Sequence, residues 1–148
     1  SDELVNQKSL SALSTGLRPI ICVGETLEER EEGRFVEVVV EQVRKGLQEI
    51  TPDQMKEVVI AYEPVWAIGT GKTATPDQAE DMHREIRNAV NEIYGNEISD
   101  SLRILYGGSV KPGNAKELMS LENVDGALVG GASLVAADFA TIIKSTTV

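Results

Sequence analysis

Cysteine is almost absent from this sequence: Cys22 stands alone, so no intrachain disulfide can form and no cysteine-based metal site can be assembled. A reducing compartment suits such a chain, and a cytoplasmic location is expected. The setting Pro19-Ile20-Ile21-Cys22-Val23 is a continuous apolar run, which predicts a buried strand with the thiol acting as a small hydrophobe in the core rather than as a nucleophile. Histidine is equally scarce. His83, the only one, falls within Asp81-Met82-His83-Arg84-Glu85 and is expected on a helix surface with no acid–base role. No apolar run approaches the ~18 residues of a membrane span, and no signal-peptide pattern opens the chain. Basic residues number 14 against 24 acidic ones, giving a formal net charge of −10 and a pI of about 4.6. Nucleic acid and anionic membrane are disfavoured as partners, because each requires a basic face. A small anion remains open as a ligand, since a local nest of backbone N–H groups outweighs distant charge.

What is present is an alternation of amphipathic helices and short apolar strands. The pattern predicts helices at Asp2–Ser14, Phe35–Ile50, Pro76–Tyr94, near Ala115–Met119 and near Ala136–Lys144, and strands at Pro19–Val23, Glu57–Tyr62, Leu102–Tyr106 and Gly126–Val129. This is the βαβ signature of a parallel α/β sheet with outer helices. Thr75-Pro76-Asp77-Gln78 supplies a cap, a proline at the first helical position and a capping-box glutamine, while Gly95 can end that helix. At 148 residues and 16.0 kDa the chain has the size of one domain, taken as 1–148. Four strands that all read as buried would leave the first and last with unpaired backbone, so something else is expected to cover those edges.

The segment Ala61-Tyr62-Glu63-Pro64-Val65-Trp66-Ala67-Ile68-Gly69-Thr70-Gly71-Lys72 places one carboxylate at a strand's C-terminal tip ahead of a glycine-rich loop. Pro64 biases Glu63 toward extended backbone, so the strand should reach Glu63. A carboxylate at such a tip, beneath a closing loop, is suited to taking a proton from carbon. Two further tips carry paired glycines, in Gly107-Gly108-Ser109-Val110 and Gly130-Gly131-Ala132-Ser133, where backbone N–H groups can approach an oxyanion. With the loop Ala67–Gly71 they would surround one phosphate. Trp66, next to Pro64 and Val65, is expected to pack as a stiff hinge residue at the base of the loop. The acidic stretch Glu25–Glu32 mixes in Arg30 and is expected to cover a solvated helix start capped by Thr26. No ligand set for a metal is visible, and no cofactor is expected.

Ala61–Lys72, Tyr106-Gly107-Gly108-Ser109-Val110, Leu128-Val129-Gly130-Gly131-Ala132-Ser133 and Ile21-Cys22-Val23-Gly24-Glu25 together resemble triosephosphate isomerase, across all 148 residues. The order and spacing of the blocks resemble the second half of that family's (β/α)8 barrel, strands five to eight. The resemblance implies that Glu63 is the catalytic base interconverting dihydroxyacetone phosphate and glyceraldehyde 3-phosphate through an enediolate. It implies that Pro64–Trp66 and Lys72–Ala74 are the hinges of a lid, that Gly69, Ser109, Gly130 and Gly131 hold the substrate phosphate, and that Tyr106 and Ser109 bond the closed lid. Closure would exclude water and protect the enediolate. The family's lysine with its preceding asparagine, and its electrophilic histidine, belong to the barrel's first half; His83 and Lys72 match neither. The chain alone is therefore expected to be inactive, with the missing half of the barrel or a second copy covering its open edges. The intact family forms homodimers. Two alternatives stand beside this reading. One is a non-catalytic half-barrel that serves as a folding or self-association module and retains a phosphate cradle. The other is a different phosphate-binding barrel enzyme, although a general phosphate site needs no pairing of Glu63-Pro64-Val65-Trp66 with Gly69-Thr70-Gly71.

Overall fold

The computed structural model describes residues 1–68 and 72–146. In chain order the elements are α1 (Asp2–Ser14), β1 (Ile20–Val23), α2 (Leu27–Glu31), α3 (Phe35–Gly46), β2 (Val59–Tyr62), α4 (Pro76–Tyr94), α5 (Asn96–Ser101), β3 (Arg103–Tyr106), α6 (Pro112–Leu118), β4 (Gly126–Ala127) and α7 (Ala136–Ser145). The strands form one parallel sheet in the order β1-β2-β3-β4, with flanking helices. This is the α/β architecture of about half a (β/α)8 barrel. Among the described residues no helix is long and apolar enough to cross a membrane.

The core lies between the helices and one face of the sheet. Val39, Val43 and Gly46 recur at the spacing of one helix face in α3 and are buried, as are Ala79, Met82, Ile86 and Val90 in α4. These side chains form one cluster with Ile21, Ile60 and Ile104 of the strands. α4 starts where the sequence indicates: the Gln78 N–H donates to the Thr75 hydroxyl at 3.2 Å and the Thr75 N–H donates back to Oε1 of Gln78 at 3.0 Å. It stops at Gly95, whose φ of +85° favours glycine. Arg87 then fastens α4 to the sheet. Its guanidinium donates to the Ser99 carbonyl at 2.6 Å and to Asp125 at 2.7 Å, and Asp125 accepts the Ile104 N–H at 2.7 Å.

Several expectations are corrected. α3 ends at Gly46 instead of Ile50, because the chain turns through Glu49 at φ 62°. Val58 and Glu57 lie outside β2, the latter in a 3-10 turn over Gln54–Glu57, and β4 is two residues long. The sixth helix begins at Pro112, and α5 was not foreseen.

Two single residues are also placed differently. Cys22 is exposed: β1 alternates exposed and buried positions, with Ile21 and Val23 toward the helices and Ile20 and Cys22 on the opposite face. His83 is fully buried, because it falls on the apolar stripe of α4 between Met82 and Ile86. Its ring meets Tyr62 edge-on at 5.8 Å between centroids, and Nδ1 lies 3.2 Å from the Asn123 carbonyl oxygen. A carbonyl only accepts, so Nδ1 carries the hydrogen; Nε2 is left as a buried acceptor with no partner among the described residues.

Burial drives the His83 pKa down to about 4, because the imidazolium would lose its hydration. In the folded chain His83 is neutral, while in the unfolded chain it titrates near the ordinary value of 6.5. The stability this contributes is complete above pH ~6.5 and is lost as pH falls toward ~4, amounting to roughly 3 kcal/mol. Urea unfolding across that window should show the loss, and His83→Leu should flatten that part of the profile. An identical acid profile in the variant would remove His83 as the cause.

Candidate functional site

The strand tips are held together by backbone bonding that runs past the strand ends. The Glu63 N–H donates to the Val23 carbonyl at 2.7 Å, and the Val65 N–H to the Glu25 carbonyl at 3.0 Å. On the other side the Gly107 N–H donates to the Tyr62 carbonyl at 2.8 Å, and the Leu128 N–H to the Tyr106 carbonyl at 2.9 Å. Glu63 therefore lies one residue beyond β2 but still within its ladder. Its side chain is half-buried and lies across Gly107, where any β-carbon would collide with Cγ of Glu63. Gly24 is constrained in the same way, because a β-carbon there would strike the Glu63 carbonyl. Both glycines are required by close approach and not by dihedral angle.

A cavity of about 700 Å³ opens beside this carboxylate. Its walls bring together Glu63, Ser109, Gly130 and Gly131, four of the residues singled out in the sequence, along with Ile68 and Lys111. Gly69 was singled out too and lies, with Thr70 and Gly71, outside the described residues. At Gly130 and Gly131 a β-carbon would meet nothing within 4 Å among the described residues, so none of these demands glycine there. The Ser109–Lys111 loop is fixed by Asn114, which accepts the Lys111 N–H at 2.7 Å and donates to the Ser109 carbonyl at 3.0 Å. Ahead of α4, the Ala74 N–H donates to the Tyr106 hydroxyl at 3.3 Å.

Beneath the turn over Val65–Ala67 sits a group whose role the sequence reading missed. Glu25 is fully buried and does not belong to the solvated acidic stretch. It accepts from the Arg30 guanidinium at 2.8 Å, from the Tyr62 hydroxyl at 3.1 Å and from Nε1 of Trp66 at 2.8 Å. Arg30 also lies over the Trp66 ring, 5.0 Å from its centroid, and over Phe35 at 4.7 Å. Trp66 is thus fixed at the base of the loop. The rest of the stretch behaves as read: Thr26 caps α2 through a capping box with Glu29, and Glu28, Glu31 and Glu32 are exposed. The one available signal was the lone Arg30 within a run of acids, five residues after Glu25. Burial raises the pKa of Tyr62 far above its ordinary value, and the Glu25 charge adds to the shift.

Cys22 is the second residue missed. Its thiol is pushed up to about 11, first by desolvation and then by the charge of Glu63 and a hydrogen bond to it. It is therefore a thiol at neutral pH and sits against the candidate base. Among the described residues no group of three or more His, Cys, Asp or Glu is arranged to hold a metal ion.

Comparison with known proteins agrees with this geometry. The family profile described as Triosephosphate isomerase matches residues 1–146. The triosephosphate isomerase of Chloroherpeton thalassium is 59% identical over 145 residues, which cover 98% of this chain and 58% of that protein. Those of Fusobacterium nucleatum and Thermoanaerobacter sp. are 52% and 58% identical, covering 98% and 97% of this chain and 58% of each relative. The chain thus spans a little over half the length of these curated relatives.

Replacing Glu25 by leucine would leave the Tyr62 hydroxyl, the Trp66 indole N–H and the Arg30 charge without their acceptor. We expect a loss of about 3–5 kcal/mol in urea unfolding, the range for breaking a buried ion pair from one side. Trp66 is the only tryptophan, so its emission should shift in the folded variant as well. A loss below about 1 kcal/mol, the scale of an exposed pair, would contradict the network described.

Proposed function

The chain belongs to the triosephosphate isomerase family, and we propose that it contributes the proton-transferring half of that family's site. The observation that carries this reading is Glu63 at the mouth of the cavity, with its side chain across Gly107 and both glycine-bearing tips in the walls. Glu63 is the base that moves a proton between the two carbons of a phosphorylated triose, interconverting dihydroxyacetone phosphate and glyceraldehyde 3-phosphate. Ser109, Gly130, Gly131 and Gly69 hold the phosphate through backbone N–H groups. Support comes from the open space over Gly130 and Gly131, which admits an oxyanion close to the main chain.

In this reading residues 1–148 are one domain corresponding to strands five to eight of the barrel, working in the cytoplasm. The electrophile and the lysine of the family come from sequence outside these residues. Stabilising a developing oxyanion is worth about 10²–10³-fold per donor, so the 148-residue chain alone is essentially inactive. The companion is the remaining half of the barrel, with the homodimer formed by the intact protein. A second reading, self-association without catalysis, draws on the exposed apolar side chains at both ends of the sheet: Ile20 at 47% and Leu134 at 87% exposure. Sedimentation distinguishes the two, because self-association alone would give a concentration-dependent dimer that the complementary half does not displace.

The test is a coupled isomerase assay with glyceraldehyde 3-phosphate, run on the chain alone and with the complementary segment of a full-length relative. Activity should appear only in the mixture. There, Glu63→Gln should lower kcat by about 10²–10⁴-fold with KM little changed, the signature of losing a general base. Unchanged turnover would exclude Glu63 as the base.

A further inference from the structure

Gln42 lies on α3 and faces the strand tips. Its side-chain oxygen accepts the Gly24 N–H at 2.8 Å, and its side-chain nitrogen donates to the Gly24 carbonyl at 3.1 Å. Both backbone polar groups of a single residue are thus taken by one amide, across 18 positions of sequence. That residue is the one whose α-carbon abuts the Glu63 carbonyl, with the ladder bonds from Glu63 to Val23 and from Val65 to Glu25 on either side. A separate pocket of about 180 Å³ is lined by Gln42, Gly24, Cys22 and Glu63 together.

We propose that Gln42 is a positioning residue for Glu63: by clamping the peptides on both sides of Gly24 to α3, it fixes the backbone against which the Glu63 main chain rests. The inference rests on the reading of Glu63 as the base, and it assigns the placement of that base to a helix residue that touches no substrate. The physical argument is one of leverage. Gly24 has no side chain to pack, and it lies just past the end of β1, so only hydrogen bonds can hold it. The ladder holds its flanking residues toward β2, while Gln42 holds Gly24 itself toward the helix layer. Without Gln42, two half-buried backbone groups would have to find other partners, and they can do so only by moving. Gly24 would shift, and the Glu63 carbonyl in contact with it would follow.

Cys22 provides a reporter on the chain as it stands, because Glu63 bears directly on its thiol. The measurement is the rate of Cys22 alkylation by iodoacetamide in mildly alkaline buffer, where rate follows the thiolate fraction. In Gln42→Met, which keeps the volume but makes neither bond, the rate should rise by about threefold or more, equivalent to a half-unit fall in thiol pKa. Glu63→Gln should also alkylate faster than the native chain. The combined variant should then react about as fast as Glu63→Gln alone, because Gln42 acts through Glu63. A purely structural role for Gln42 would expose the thiol independently, and the two rate factors would multiply.

An unchanged rate in Gln42→Met, multiplying factors, or an unchanged rate in Glu63→Gln would each overturn the proposal. If Gln42→Met loses the near-ultraviolet signal of the folded chain, Gln42→Leu takes its place. It is uncharged and makes neither bond, so it should give the same rise, and a native rate would overturn the proposal. The titration reads where the carboxylate sits and not what it does. An intact coupling with an inactive assembled enzyme would therefore count against Glu63 as base and leave the positioning role standing.

Discussion

The C-terminal end of the sheet depends on the approach of two backbones at Gly24 and Glu63. Parallel pairing normally ends with the strands, yet here the ladder continues from Val23 to Glu63 and from Glu25 to Val65. Such closeness leaves no room for a side chain at Gly24, and it makes the peptide carrying the carboxylate as rigid as the sheet. On the opposite side Gly107 is bare for the same reason, so the Glu63 side chain can lie flat across the neighbouring tip. A carboxylate held between two glycines is fixed in height and direction before any ligand arrives, which is the condition an efficient proton acceptor requires.

Glu25 extends this constraint to the start of the loop that follows β2. One buried carboxylate bonds the last residue of β2, Tyr62, and the first turn of the loop, Trp66, while Arg30 balances its charge. Burying a carboxylate is costly, and three donors, one of them the Arg30 cation at 16% side-chain exposure, are what make it tolerable here. The arrangement gives the strand tip and the base of the loop a common anchor.

How much of this was legible follows from what each residue type reveals. The layered α/β fold was legible, because α4 announces its cap at Thr75, its start at Pro76 and its stop at Gly95, and because the strands are short apolar runs between amphipathic helices. Two of the three glycine-bearing tips, at Gly107-Gly108 and Gly130-Gly131, were legible from their paired glycines, and the third, with Gly69, lies outside the described residues. Cys22 was misread because an apolar run does not say which of its two faces is covered; that depends on residues far away in the sequence. His83 was misread by type, since its neighbours Asp81, Arg84 and Glu85 are polar. Its spacing to Ala79, Met82 and Ile86 places it on the apolar stripe, and period is the stronger signal. Glu25 was lost among other acids. Its partners Tyr62 and Trp66 are 37 and 41 positions away, and no local pattern connects them. Gln42 is hidden more deeply, because a side chain that bonds one distant peptide leaves no trace in periodicity.

The net charge of −10 also takes on a spatial meaning once the fold is known. Charged side chains on the outer helices pair in the open, as Arg44 with Glu92, Lys45 with Glu41 and Arg84 with Asp81, each more than two-fifths exposed. Such pairs contribute little to stability, and their fields decay over a screening length of about 8–10 Å. The cavity is built differently. Apart from Glu63, the charges in its walls are Lys111 and Asp138, of opposite sign, and the remaining surface is glycine-rich main chain and small apolar side chains. An anion there would interact chiefly with peptide dipoles, whose strength does not depend on how many acids the helices carry. An acidic protein can in this way keep a phosphate site, provided that the site is made of backbone and not of cationic side chains.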